Sequence, residues 1–184
     1  MDKQLYLIAL IPPKQIGDRV HALKEEMKAR FNAKHALKAP PHITLQMPFR
    51  LDDEGELNTI KQLNRFASEQ KPFSIVLNGF DAFEPRVIFV KIENQRPIKE
   101  LHLRLKRVLI EDLSFPQKKV INELHPHMTI ATRDLTESNF YTAWSEFKSR
   151  PFEGNFRADS ISLLNHNGKN WDIYKSFPFS EEEE

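Results

Sequence analysis

Cysteine is absent from the 184 residues, and three kinds of chemistry go with it. A disulfide scaffold, a thiolate zinc site and a cysteine nucleophile are all excluded. The absence is compatible with a reducing cytoplasm, the location expected here. Long apolar runs are missing as well. None approaches the roughly 20 residues that a bilayer-spanning helix needs. Met1-Asp2-Lys3-Gln4 leads straight into a short apolar segment without the h-region of a secretory signal. Excess charge of one sign is also lacking. The formal net charge is +1, which argues against an extended electrostatic grip on a duplex and leaves room for a basic cleft holding one or two phosphates. A Pro/Gly/Ser-rich linker is missing too, so a single compact unit spanning 1–184, and a monomer, are expected. The acidic tail, Glu181 to Glu184, reads as a solvated end.

What the chain does contain is one short pattern twice. Pro41-His42-Ile43-Thr44-Leu45 is echoed by Pro126-His127-Met128-Thr129-Ile130. Each copy reads Pro-His-x-Thr-aliphatic inside an apolar, β-branched run. Alternate side chains of a strand share a face. His42 therefore pairs with Thr44, and His127 with Thr129, while Ile43, Leu45, Met128 and Ile130 point into a core. One copy is weak evidence, because His-x-Thr is short. Two copies with matching flanks, one in each half of the chain, suggest two related lobes facing a shared cleft.

The rest of the chain fits that duplication. Gln4 to Ile11 reads as a buried strand bounded by Pro12-Pro13. Ile16, Val20, Leu23, Met27 and Phe31 recur at helical spacing, with the intervening lysines and glutamates on the solvent face. Leu57, Ile60, Leu63, Phe66 and Ala67 mark a second helix. Phe73 to Phe83 and Arg86 to Ile92 read as a hairpin turned at Glu84-Pro85. Ile98, Leu101, Leu105, Val108 and Leu109 space a third helix. Phe140, Trp144 and Phe147 space a fourth, opened by Thr136 with Asn139 three residues on, a partial capping box. Phe156 to Leu164 and Trp171 to Phe177 follow as strands around the turn Asn165-His166-Asn167-Gly168. His21, His35, His102 and His166 read as solvated, terminal, packed or turn residues. The expectation is an α+β fold: a bilobal, pseudo-two-fold duplication of βαβαβ-like halves, about 1–84 and 85–180. Mainly antiparallel sheets would line a central cleft, with helices outside.

Two imidazoles facing one substrate form an acid–base pair near neutral pH, and hydroxyls beside them can donate to phosphate oxygens. No carboxylate pair or metal-ligand spacing accompanies them. Such a set suits opening or closing a 2′,3′-cyclic phosphate, which needs a proton taken, a proton given and a charged phosphorane-like state stabilised.

On these residues the chain resembles the 2H phosphoesterase superfamily, in its 2′-5′ RNA ligase-like and RNA 2′,3′-cyclic phosphodiesterase branch. The resemblance extends over the opening strand, both motifs, the Pro72-Phe73 strand, and the Gly168 and Tyr174 ending. It implies a bilobal fold with a central groove, catalytic roles for His42, Thr44, His127 and Thr129, and no need for a metal or other cofactor. The implied substrate is an RNA end or a small cyclic nucleotide. Many relatives carry Arg five positions after the second motif histidine. Here Thr132 stands there, and Arg133 follows one later. Strict alternation puts Arg133 on the face of His127, whereas a bulge or early strand end would turn it away. Gln46 and Tyr174 are further substrate-binding candidates, with Tyr6 and Arg86 as rim residues.

The expected function is therefore a metal-independent phosphoesterase, with reverse 2′-5′ RNA ligation by the same groups. His127 is taken as base and His42 as acid, with the roles exchangeable because the halves are alike. Two other classes stand beside it: an RNA-end-binding module without turnover, and a hydrolase whose metal is held by His42, His127 and His125.

Overall fold

A computed structural model describes residues 2–181. Eight strands and four α-helices follow one another in the order β1 (Gln4–Leu10), α1 (Lys14–Phe31), β2 (Ile43–Leu51), α2 (Asp53–Ser68), β3 (Phe73–Phe83), β4 (Val87–Ile92), α3 (Arg96–Glu111), β5 (Met128–Ala131), α4 (Glu137–Phe147), β6 (Glu153–Ala158), β7 (Ser160–His166) and β8 (Trp171–Pro178). Two short 3-10 turns, His35–Lys38 and Gln117–Lys119, precede the two motif strands.

The strands form two four-stranded antiparallel sheets, ordered β2-β1-β7-β8 and β5-β4-β3-β6. The fold is α+β, as expected. The motif strands β2 and β5 each lie at one edge of a sheet, and they contact each other. Helix α1 packs across to β5, β6 and α4, while α2 packs on β8 and α3. On the outer surface, Arg30 and Arg150 bridge Glu26 of α1 to Glu146 of α4.

The division expected near residue 84 does not separate the sheets, because it falls in the turn of the β3–β4 hairpin. The first sheet instead combines β1 and β2 with β7 and β8 from the end of the chain. Nor is Phe156 to Leu164 one strand. It breaks at Asp159, where the chain leaves β6 in one sheet and enters β7 in the other. The apolar pattern runs through the break, since Phe156, Ala158, Ile161 and Leu163 are all buried. Periodicity alone therefore could not reveal that the chain changes sheets.

Helix signals were clearer. Ile16, Val20, Leu23, Met27 and Phe31 are buried on α1, and Ile98, Leu101, Leu105 and Leu109 on α3. Thr136 caps α4 by accepting a hydrogen bond from the Asn139 N–H at 3.2 Å. Leu57 departs from expectation. It sits in the second turn of α2, 70% exposed, where the helix has no neighbour to cover it.

The contrast between buried and exposed positions is testable. Phe147 is fully buried and packs edge-on to Phe80 with ring centroids 5.1 Å apart. Phe147→Ala should cost about 3–5 kcal/mol in chemical denaturation. Leu57→Ala should change stability by no more than about 0.5 kcal/mol. A large cost for Leu57→Ala would mean that the exposed face of α2 is covered in solution.

Candidate active site

Both motif histidines lie one residue before their strands, where the backbone enters the sheet edge. The His42 Nδ1 is 2.7 Å from the Pro40 carbonyl oxygen, and the His127 Nδ1 is 2.6 Å from that of His125. A carbonyl only accepts, so each Nδ1 carries the proton. The neutral ring then presents Nε2 as a lone pair. The same i to i−2 contact occurs in both copies. Prolines 40 and 41, and Pro126, hold the preceding backbone extended.

His42, Thr44, His127 and Thr129 line one cavity of about 230 Å³. Neither threonine hydroxyl is engaged by another protein group among the described residues, so both are available to a ligand. Beneath them, Ile43, Leu45, Met128 and Ile130 are fully buried. The His127 ring packs against Phe83 and Phe89, each 5.0 Å away by ring centroids, and those two rings also touch each other at 4.7 Å. That packing fixes its plane.

The residue after each motif threonine is unpaired in the ladder. Ala9 pairs with Thr44 and Ile8 with Gln46, skipping Leu45. Phe89 pairs with Thr129 and Ile88 with Ala131, skipping Ile130. Such bulges reset the alternation of faces. Gln46 consequently turns inward, 1% exposed, and its amide donates to the Lys119 carbonyl at 2.9 Å. It does not line the cavity with the motif residues, contrary to expectation. In the second copy the same reset puts Thr132 on the cavity wall. Arg133 lies beyond the strand end, with φ of 56°, and also lines the cavity. Early strand termination therefore does not remove it from the site.

Tyr174 is not part of the lining. It is the unpaired residue of β8, and its hydroxyl donates to Glu56 Oε1 at 2.5 Å. Tyr6 donates to the other oxygen of that carboxylate, tying β1 and β8 to α2. Trp171, at the start of the same strand, reaches the cavity instead. Arg86 borders an adjacent groove that shares Thr132 and Arg133 with the site. His125 contributes its carbonyl to His127, and its side chain is not among the cavity-lining groups. Among the described residues, no cluster of three or more His, Asp or Glu side chains is arranged to hold a metal.

Sequence periodicity concealed one site residue altogether. Lys24 belongs to the lysines assigned to the solvent face of α1, yet it is 2% exposed and lines the cavity. Its Nζ donates to the Ala36 and Ala39 carbonyls at 3.0 and 2.9 Å. These bonds hold the segment that leads to Pro40, and so to His42. Burial lowers the ammonium pKa to about 8. A small clue is its place next to Leu23, at the margin of the apolar stripe.

Burial is also the main force on both imidazoles. It pushes His42 down to about 4, with Lys24 and His127 adding to the effect and the Pro40 carbonyl opposing it. His127 is lowered by burial in the same direction, against the pull of the His125 carbonyl.

A family model described as the 2′-5′ RNA ligase superfamily matches residues 12–170. The chain belongs to the 2′-5′ RNA ligase superfamily. Within this superfamily of 2H phosphoesterases, it is 30% identical over 178 residues to a protein of Oceanobacillus iheyensis named "Putative phosphoesterase", covering 94% of this chain and 96% of that one. A protein of the same name from Geobacillus thermodenitrificans is 32% identical over 177 residues, covering 94% of both chains. Among solved structures, E. coli LigT without ligand superposes with a TM-score of 0.68 at 16% identity, over 98% of this chain and 99% of that one. TT0787 of Thermus thermophilus superposes with a TM-score of 0.67 at 17% identity, over 98% and 100%. These superpositions establish a shared fold.

The depressed His42 pKa carries a stability signature. Between the ordinary value of 6.5 and about 4, the unfolded chain binds a proton that the folded ring refuses. Its stabilising contribution is complete above 6.5 and is lost as pH falls through that window. Denaturation at pH 7 and pH 5 should show lower stability at pH 5, and His42→Gln should reduce the difference. His127 has the same sign, so the slope should not vanish. An unchanged slope in His42→Gln would show that His42 is not the group responsible.

Proposed function

We propose that this protein hydrolyses 2′,3′-cyclic phosphates, at RNA ends or on cyclic nucleotides, by acid–base catalysis between His42 and His127. The observation that carries the reading is the matched pair of imidazoles, each tethered through Nδ1 to the carbonyl two residues earlier and each lining the same cavity. Membership of the superfamily supports phosphoester chemistry. A LigT structure holding 3′-AMP supports a nucleotide as the ligand class.

The electrostatics favour an assignment opposite to the one first expected. Deep burial, with Lys24 adding to it, keeps His42 unprotonated near neutral pH, which suits the base. His127, without a buried ammonium beside it, serves as the acid once the substrate anion raises its pKa. Water loses its proton to His42 Nε2 as its oxygen bonds to phosphorus. The bond from phosphorus to one ribose oxygen breaks, and that oxygen takes the proton from His127 Nε2. The product is a phosphomonoester. Thr44 and Thr129 donate to the non-bridging oxygens, where charge builds up in the transition state. Lys24 adds positive charge around the same anion. With a 5′-hydroxyl or another ribose hydroxyl in place of water, the same steps open the cyclic phosphate to a phosphodiester, and their reversal closes the ring and releases that hydroxyl.

The test is turnover of a 2′,3′-cyclic nucleotide and of a cyclic-ended oligonucleotide, with and without chelator. Activity should survive chelation. His42→Ala and His127→Ala should each lower kcat by about 10²–10⁴-fold. Loss on chelation with rescue by zinc would favour a metal hydrolase. Tight RNA binding without turnover, indifferent to both substitutions, would favour a binding module.

A further inference from the structure

The cavity is more basic than one cyclic phosphate requires. Lys24, Lys38 and Arg133 line it together with His35, His42 and His127, and among the described residues no aspartate or glutamate belongs to the lining. A cyclic phosphodiester carries a single negative charge. Lys24 directs two of its protons to main-chain carbonyls. Lys38 and Arg133 form no ion pair among the described residues, and both are exposed.

These uncommitted groups are held together by a specific contact between the two halves of the chain. The Asp134 carboxylate accepts from the backbone N–H groups of Lys34 and His35, at 3.0 and 3.0–3.1 Å. This clamp fixes the start of the His35–Lys38 turn against the bend that carries Arg133. In a 3-10 turn, side chains three apart eclipse one another, so His35 and Lys38 share a face. Asp134 is thereby occupied by main-chain donors, and the cations next to it keep their charge for a ligand. His35 is half-buried, and after burial itself the Arg133 and Lys38 charges are what disfavour its protonation. An anion placed among the three would reverse that effect.

We propose that His35, Lys38 and Arg133 form a second anion subsite, so that the preferred substrate carries a further phosphate beside the cyclic one. Two sources share this chemistry: the flanking phosphodiester of an RNA chain, and a terminal phosphate on a single nucleotide. The proposal rests on the cyclic-phosphate reading for the reacting centre, and it adds the substrate class.

Affinity tests it independently of turnover. The full chain is titrated with 3′-AMP, with adenosine 3′,5′-bisphosphate, and with a dinucleotide 3′-phosphate that carries one internal phosphodiester. At least one ligand with a second phosphate should bind roughly tenfold or more tightly than 3′-AMP, the effect of one charge-assisted hydrogen bond. Preference for the bisphosphate indicates a terminal phosphate, and preference for the dinucleotide indicates a chain. In Lys38→Met and Arg133→Met the ratio to 3′-AMP should fall towards one. Both residues are exposed, so both variants should fold. Equal affinity for all three ligands, or a ratio untouched by both substitutions, overturns the subsite. A substitution-sensitive ratio without turnover of any cyclic phosphate would sustain the subsite and sink the phosphoesterase reading. Turnover without the ratio would do the reverse.

Discussion

Two sheet edges meet in this protein without joining. Strands β2 and β5 contact each other, yet each pairs with only one neighbour in its own sheet. An unpaired edge is normally a liability, because its backbone groups are open to other chains. Here the two edges contact each other, and the seam between them holds the imidazoles and hydroxyls of a cavity whose exposed lining is mostly apolar. The change of sheet at Asp159 and the packing of α1 on the opposite sheet both keep the edges together. Separation of the sheets would take His42 and His127 out of their common cavity.

Within the seam the chemistry is set by main chain more than by side chains. Among the described residues no carboxylate orients either imidazole; the Pro40 and His125 carbonyls do so instead. A carbonyl fixes the tautomer without adding a full negative charge, so burial still dominates and lowers the pKa of both rings. Lys24 biases the pair further by lying beside only one of them.

The motif pair was legible in the sequence because period-two alternation holds from His42 to Thr44 and from His127 to Thr129. It fails one residue later. The unpaired Leu45 and Ile130 reset the pattern, which is why Gln46 faces inward and Thr132 faces the cavity. A bulge leaves no composition signal in an apolar run, since both residues of the step are buried either way. Lys24 escaped for a related reason. A lysine beside an apolar stripe looks solvent-facing until the carbonyls that receive its protons are located. His35, read as a terminal histidine, acquires its meaning only from Asp134, about a hundred residues away in sequence. The helix stripes of α1 and α3 needed no such long-range knowledge, because each is decided by its own local period. The exchange of strands between sheets is the opposite case, as no local pattern distinguishes Phe156 before the break from Ile161 after it.

The most direct measurement is the nitrogen NMR spectrum of the His42 and His127 rings, assigned by substitution, without ligand and with 3′-AMP near neutral pH. Both rings should be neutral Nδ1–H tautomers in the free protein, and at least one Nε2 should gain a proton when the phosphate binds. Nε2–H tautomers in the free protein, or two rings blind to the nucleotide, would contradict a pair preset to exchange protons across a single phosphorus.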